Sequence, residues 1–147
     1  MRTTIYFDMD GTIADLYGYE NWLTELRAEN PHPYEIAKPL VRLATLARIL
    51  NRLQRKGYNL GIISWGSKNA TEHYNEIVYK AKTDWLRKHL ASVAWDEINF
   101  APYGTPKSNF AHTINDILFD DELPNRENWI GKAFNVDDII ATLKTLG

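Results

Sequence analysis

The chain contains no cysteine. That excludes a disulfide framework, a thiolate zinc site and a cysteine nucleophile, and it suits a reducing cytoplasm. No block of five or more basic residues occurs, and Lys and Arg are mixed with Asp and Glu to a net charge of −2. A long electrostatic footprint for nucleic acid is therefore missing, although a single nucleotide or a strand end needs only a few positive groups. No stretch approaches the roughly 18 apolar residues of a membrane span. The opening MRTTIYFDMDG reads as a strand running into an acidic turn rather than a signal peptide, because its apolar run is too short. Histidines at 32, 73, 89 and 112 lack metal-ligand spacing and are expected to stay outside any chemistry. Internal repeats, low-complexity segments and interdomain linkers are also missing.

What remains is a chain of 147 residues, 44% hydrophobic and 24% charged. That is the composition of one globular domain over 1–147, with material for one core. Residues 3–7 are β-branched and aromatic and predict a buried strand. Residues 19–30 predict a short helix with Trp22, Leu23 and Leu26 on one face. Pro31, Pro33 and Pro39 break the chain, and Pro39 suits the start of the next helix. That helix runs to about Lys56, with Leu43, Leu46, Ala47, Leu50 and Leu53 as its apolar stripe and Gly57 as its stop. Strands follow at 60–64, 98–101, 117–119 and 132–135. A helix over 70–90 carries Tyr74, Ile77, Val78, Ala81 and Trp85 at helical spacing, and Asp137 or Asp138 begins the last one. Alternation of this kind predicts an α/β fold, a Rossmann-like parallel sheet of about five strands with helices on both faces. Ligands in such sheets lie beyond the carboxyl ends of the strands.

The polar residues at those ends form a constellation. Asp8 and Asp10, in Asp8-Met9-Asp10-Gly11-Thr12, can both face a ligand, and crowded carboxylates call for a compensating cation. Gly11 lets the backbone turn sharply. Ser64 ends a buried strand, and the N–H groups after it in Trp65-Gly66-Ser67 could form an anion site, although a serine there is more often a turn former. Lys107, between the third and fourth strands, places an ammonium where phosphate and Asp8 would need neutralising, or is simply a solvated loop charge. Asp120 and Asp121 could cap a helix; equally, Asp8, Asp10 and Asp120 are a donor set for Mg²⁺, which prefers carboxylate oxygens.

In this order, these residues resemble the four signatures of the haloacid dehalogenase superfamily. The resemblance implies a HAD-like hydrolase with Asp8 as the nucleophile that attacks phosphorus. Asp10 would protonate the leaving oxygen, then activate water, while its backbone carbonyl binds the metal. Ser64, Trp65 and Lys107 would hold the phosphoryl group. Mg²⁺ would sit among Asp8, Asp10 and Asp120, with Asp121 binding through water or orienting Lys107. Dehalogenating members lack the second aspartate, and sugar phosphomutases need a sizeable cap. Asp120-Asp121 with Asn125, Asn128 and Trp129, and Ala133-Phe134-Asn135, look like the 5′(3′)-deoxyribonucleotidase branch. The helical cap of that branch is reduced here to a flap or mini-cap over residues 15–38.

The implied activity is Mg²⁺-dependent hydrolysis of a nucleotide or other small phosphate ester. The alternatives are a phosphatase acting on nucleic-acid ends, disfavoured by the missing basic stripe, and a non-catalytic phosphate- or nucleotide-binding module. Trp22 and Lys68 are candidate substrate contacts. The plainer expectation for Trp22 is anchoring of its helix, and for Lys68 a solvated charge. Asp15 is expected to end a loop or cap a helix, and Trp85, Trp95 and Trp129 to be core or core-edge residues. No residue pattern sets an oligomeric state.

Overall fold

The computed structural model describes residues 2–146. Its centre is β1 (Thr4–Phe7), all four residues of which are buried. A strand covered on both faces needs partners on both edges. β1 pairs in parallel with β4 (Asn59–Trp65) on one side and β6 (Ile117–Phe119) on the other, with Phe7 opposite Ile62 and Phe119. β5 (Glu97–Ala101) extends the sheet beyond β4, and β7 (Lys132–Phe134) extends it beyond β6. The resulting five-stranded sheet has the order β5-β4-β1-β6-β7. Chain order reverses between β1 and β6, so the crevice above those two carboxyl ends is where a ligand belongs.

Period-two alternation separates the two faces. Ile5 and Phe7 point into the main core with Leu60, Ile62 and Phe119, and Phe7 stacks on Phe119 at 5.2 Å between ring centroids. Tyr6 points the other way, into a smaller cluster with Ile63, Leu118 and Trp129. A Cβ on Gly61 would strike the Tyr6 ring, so the neighbouring strand carries glycine there.

α3 (Leu43–Arg55) covers the main face by burying Leu46, Ile49, Leu50 and Leu53, each contributing about 1.5–3 kcal/mol of burial free energy. α6 (Ile139–Thr145) adds Ile139 and Leu143 beside it. α4 (Glu72–His89) begins at Thr71, whose hydroxyl accepts the Tyr74 N–H at 3.1 Å, and buries Tyr74, Val78, Ala81, Lys82, Trp85 and Leu86. α5 (Leu123–Glu127) follows β6 and has no buried residue. The last helix is entered through a 3₁₀ turn, Val136–Asp138, in which the Asn135 side chain accepts the Val136 N–H, rather than being capped by either aspartate.

Between β1 and α3 the chain makes an excursion. It leaves through β2 (Ala14–Asp15) and returns through β3 (Lys38–Pro39), an antiparallel pair with Ala14 opposite Pro39. Pro39 thus lies in an edge ribbon, where a missing N–H is tolerated, and the helix expected to start there begins four residues later. Inside the excursion, α1 (Trp22–Arg27) is shorter than the 19–30 expectation and buries no residue fully: Trp22 and Leu26 are partly buried and Leu23 is 41% exposed. α2 (His32–Ile36) buries Pro33 and Tyr34, and Tyr34 packs with Leu16, Tyr74, Val78 and Ala81. Asp15 closes a turn by accepting the Gly18 N–H at 2.9 Å. Among the described residues no helix is long and apolar enough to cross a membrane.

Candidate active site

The ladder that forms the sheet also places the acids. The Asp8 N–H donates to the Phe119 carbonyl at 2.9 Å, one step beyond the end of β1, and the Asp120 N–H donates to Phe134 at 3.1 Å beyond β6. Both aspartates are therefore fixed by sheet backbone at the switch point. After Asp8 the chain turns tightly: the N–H groups of Thr12, Ile13 and Ala14 all point to the Met9 carbonyl at 3.0–3.1 Å. Gly11 has φ +81°, and a Cβ there would collide with the Asp121 carboxylate, so both conformation and space require glycine.

Lys107 opens a 3₁₀ turn, Lys107–Phe110, and is 5% exposed. Its ammonium lies 2.9 Å from Asp8 Oδ1 and 2.6 Å from Asp120 Oδ2, and 5.1 Å from the centroid of the Trp65 ring. Burial alone would lower its pKa, but Asp8 and Asp120 outweigh burial and hold it above the usual lysine range. Thr12 Oγ1 donates to Asp8 Oδ2 at 3.1 Å and receives the Asp121 N–H at 3.2 Å. Asp120 is held further by the Glu122 N–H at 2.9 Å and by Asn125 Nδ2 at 3.1 Å. Asp121 forms no ion pair or hydrogen bond with Lys107 and is linked to Thr12.

One carboxylate oxygen each from Asp8, Asp120 and Asp121 lies within 4.8 Å of the others. The Asp10 carboxylate is not in this group. It turns instead to Lys82, at 2.8 Å. The cause is local: β1 ends at Phe7, so Asp8 and Asp10 are not alternate residues of a strand, and the tight turn after Asp8 aims the Asp10 carboxylate at Lys82. Both still line one cavity. Four carboxylates meet two ammoniums here, and the excess of negative charge shows in the acids. Burial pushes Asp121 up to about 7, with Asp8 and Asp120 adding to the shift. Asp120 is raised by burial and by Asp8 against the pull of Lys107, and Asp10 by burial against the pull of Lys82. An all-oxygen donor set with unbalanced negative charge fits a hard divalent cation such as Mg²⁺.

The second strand end differs from expectation. Ser64 is fully buried and does not line the cavity; its hydroxyl accepts from Lys82 at 2.7 Å. The Gly66 N–H is bound by the Ala101 carbonyl at 2.8 Å and the Ser67 N–H by Asn75 Oδ1 at 3.0 Å, so the expected cradle of free donors is already engaged. Trp65 does reach the cavity, with its indole N–H on the Thr105 carbonyl at 2.8 Å. Lys68 is exposed at the rim, 5.8 Å from the centre of the Tyr103 ring.

The cavity measures about 750 Å³. Its floor is Asp8, Asp10 and Lys107, and its wall carries Tyr17, Trp22, Tyr34, Trp65, Tyr74 and Tyr103. Trp22 packs edge-on against Tyr17 at 5.0 Å and against the Leu16–Tyr34–Tyr74 cluster, so it both anchors α1 and faces the cavity. Trp85 and Trp129 are buried, and Trp95 packs on the main core. Sequence reasoning missed Lys82. The available signal was its spacing, four residues from Val78 and eight from Tyr74, which puts a lysine on the buried stripe of α4.

No family model and no curated protein matches the chain. Solved structures do. A D,D-heptose 1,7-bisphosphate phosphatase from Burkholderia thailandensis superposes with a TM-score of 0.53 at 13% identity, over 86% of this chain and 70% of that one. The D,D-heptose 1,7-bisphosphate phosphatase from B. bronchiseptica, complexed with magnesium and phosphate, gives 0.54 at 13% identity, over 89% and 78%. The parallel sheet, its order and these likenesses establish the α/β fold of the haloacid dehalogenase type.

Proposed function

We propose that the chain is a Mg²⁺-dependent phosphate-monoester hydrolase that works through an aspartyl phosphate at Asp8. The observation that carries this reading is the floor of the cavity. Asp8 lies between a buried ammonium and two further carboxylates, with Asp10 facing the same space. The magnesium and phosphate bound by the B. bronchiseptica phosphatase support the same reading.

In the first step an Asp8 oxygen attacks phosphorus and the bond from phosphorus to the leaving oxygen breaks. Asp10 supplies the proton that the leaving alkoxide takes up. In the second step Asp10 accepts a proton from water, the water oxygen bonds to phosphorus, and the Asp8 carboxylate is released with inorganic phosphate. Lys107 holds Asp8 in place and offsets charge on the transferring group. Asp8, Asp120 and Asp121, with the Asp10 carbonyl, would hold Mg²⁺, which when bound neutralises the phosphoryl oxygens.

The aromatic wall favours a substrate with a planar group, and a nucleoside monophosphate of the kind taken by 5′(3′)-deoxyribonucleotidases is the reading it supports. The excursion over residues 15–38 supplies Tyr17, Trp22 and Tyr34 to that wall, acting as a reduced cap. This placement closes the site on one side and argues against a duplex end as substrate. The test is phosphate release from a panel of nucleoside monophosphates and sugar phosphates, with Mg²⁺ and with EDTA. Metal-dependent release favouring nucleotides is expected. Folded protein that binds Mg²⁺ yet releases phosphate from none of these esters would overturn the reading.

A further inference from the structure

Lys82 is a charged side chain on the apolar face of α4, and the mechanism above gives it no task. Its residue is 1% exposed, and all three of its donor directions are occupied. Its ammonium meets Asp10 Oδ2 at 2.8 Å, Ser64 Oγ at 2.7 Å and the Trp65 carbonyl at 2.7 Å. The Tyr34 ring closes over it at 5.0 Å from the centroid. Lys82 does not line the cavity, whereas Asp10 and Lys107 do. A lysine with three satisfied donors and no exposure to the cavity cannot be a phosphate ligand without breaking its present contacts. Burying it is costly unless it is fully paired, so its retention on a core face points to a fixed partner.

We infer that Lys82 is the positioning residue for Asp10. It pins the proton-transferring carboxylate to the end of β4, so that two loops from different strands keep one geometry. Tyr34, from the excursion, covers the same ammonium and ties the reduced cap to this clamp. The inference rests on the phosphatase reading and adds a residue that acts on the reaction without touching substrate. A group within reach of the leaving oxygen is effective only when held in place, because small misplacements of a reacting group are costly.

The test separates proton transfer from phosphate binding through the leaving group. kcat/KM reports steps up to loss of the leaving alcohol. An alkyl phosphate expels a basic alkoxide that needs the Asp10 proton; p-nitrophenyl phosphate expels a stable phenolate that scarcely needs it. Lys82→Met keeps length and apolar packing. Its kcat/KM should fall about 100-fold on an alkyl phosphate, and by less than a tenth of that factor on p-nitrophenyl phosphate. Equal falls on both esters would mean that Lys82 serves the phosphoryl group or the fold alone, and would overturn the inference. If Lys82→Met does not fold, Lys82→Met combined with Asp10→Asn removes both buried charges together. That double variant should show the same kcat/KM as Asp10→Asn alone on p-nitrophenyl phosphate; a further loss of tenfold or more would also overturn the inference. Wild-type protein that hydrolyses neither ester would instead remove the phosphatase reading on which this role stands.

Discussion

The floor and the wall of the cavity are built by different physics. The floor is ionic and buried: Asp8 is 7% and Lys107 5% exposed, and sheet backbone fixes Asp8 at the carboxyl end of β1. The wall is aromatic and partly open, with Tyr17 46% and Tyr103 49% exposed, and part of it hangs on α1, which buries no residue. Rigid placement suits groups that must meet phosphorus within a fraction of an ångström, and a loosely packed wall suits groups that only select what the phosphate is attached to. Changes to the floor should therefore act on kcat, and changes to the wall on KM.

The largest break should come at the nucleophile. Asp8→Asn keeps size and shape but cannot form the acyl phosphate, so kcat should fall by several orders of magnitude while Mg²⁺-dependent ligand binding survives. Hydrolysis at the wild-type rate by this variant would remove Asp8 from the mechanism. Lys107→Met comes next. It strips the counter-ion from Asp8 and Asp120, and kcat should fall by about 100- to 1,000-fold. Leaving a buried carboxylate unpaired should also cost about 3 kcal/mol of stability, read from urea unfolding without metal. Unchanged stability would show that the pair contributes nothing net.

A third test uses acid. Burial, with Asp8 and Asp120 beside it, pushes Asp121 up to about 7, and a Mg²⁺ ion held as proposed would take its ionised form. Mg²⁺ affinity should thus weaken by up to about tenfold per pH unit below 7, measured by calorimetry. The sign for folding is opposite. An acid whose folded pKa is raised contributes stability that is complete below its unfolded value, near 4, and is lost as pH rises through about 7. Metal-free protein should therefore lose this contribution on going from pH 5.5 to 8, and Mg²⁺ should raise Tm more at pH 8. A larger Mg²⁺ shift at pH 5.5 would contradict the assignment of Asp121 to the cation.

The same division decided what the sequence made legible. The buried strands at residues 3–7 and 117–119 are dense in β-branched and aromatic residues, so their ends, and with them Asp8 and Asp120, could be placed from composition. The excursion carries weak signals. Its prolines mark breaks but not destinations, and Pro39 went to an edge ribbon because pairing with Ala14 outweighed its preference for a helix start. Strand alternation predicts that Asp8 and Asp10 face one ligand; the strand stops at Phe7, and it is the turn after Asp8 that brings both to one cavity. Ile49 and Lys82 were missed on the buried faces of α3 and α4 for opposite reasons. The first lies just beside the stripe, and the second is a charge that only its partners, Asp10 and Ser64, explain.

The smallest effect should come from the wall, and two tryptophans show the difference. Trp85 is 2% exposed in the core, and its indole N–H donates to the Ala37 carbonyl at 2.8 Å; Trp85→Ala should cost about 3–5 kcal/mol of stability. Trp22 is half-buried, rests edge-on against Tyr17 and faces the cavity. Removing it should leave kcat near the wild-type value. If its ring stacks on a base, the loss of stacking should raise KM for a nucleoside monophosphate about tenfold and leave KM for a small alkyl phosphate unchanged. The two substrates must be compared in the same variant, because loosening of α1 would disturb both. An equal rise for both esters would make Trp22 a packing residue of the excursion, and the preference for planar substrates would then rest on Tyr17, Tyr34, Trp65, Tyr74 and Tyr103.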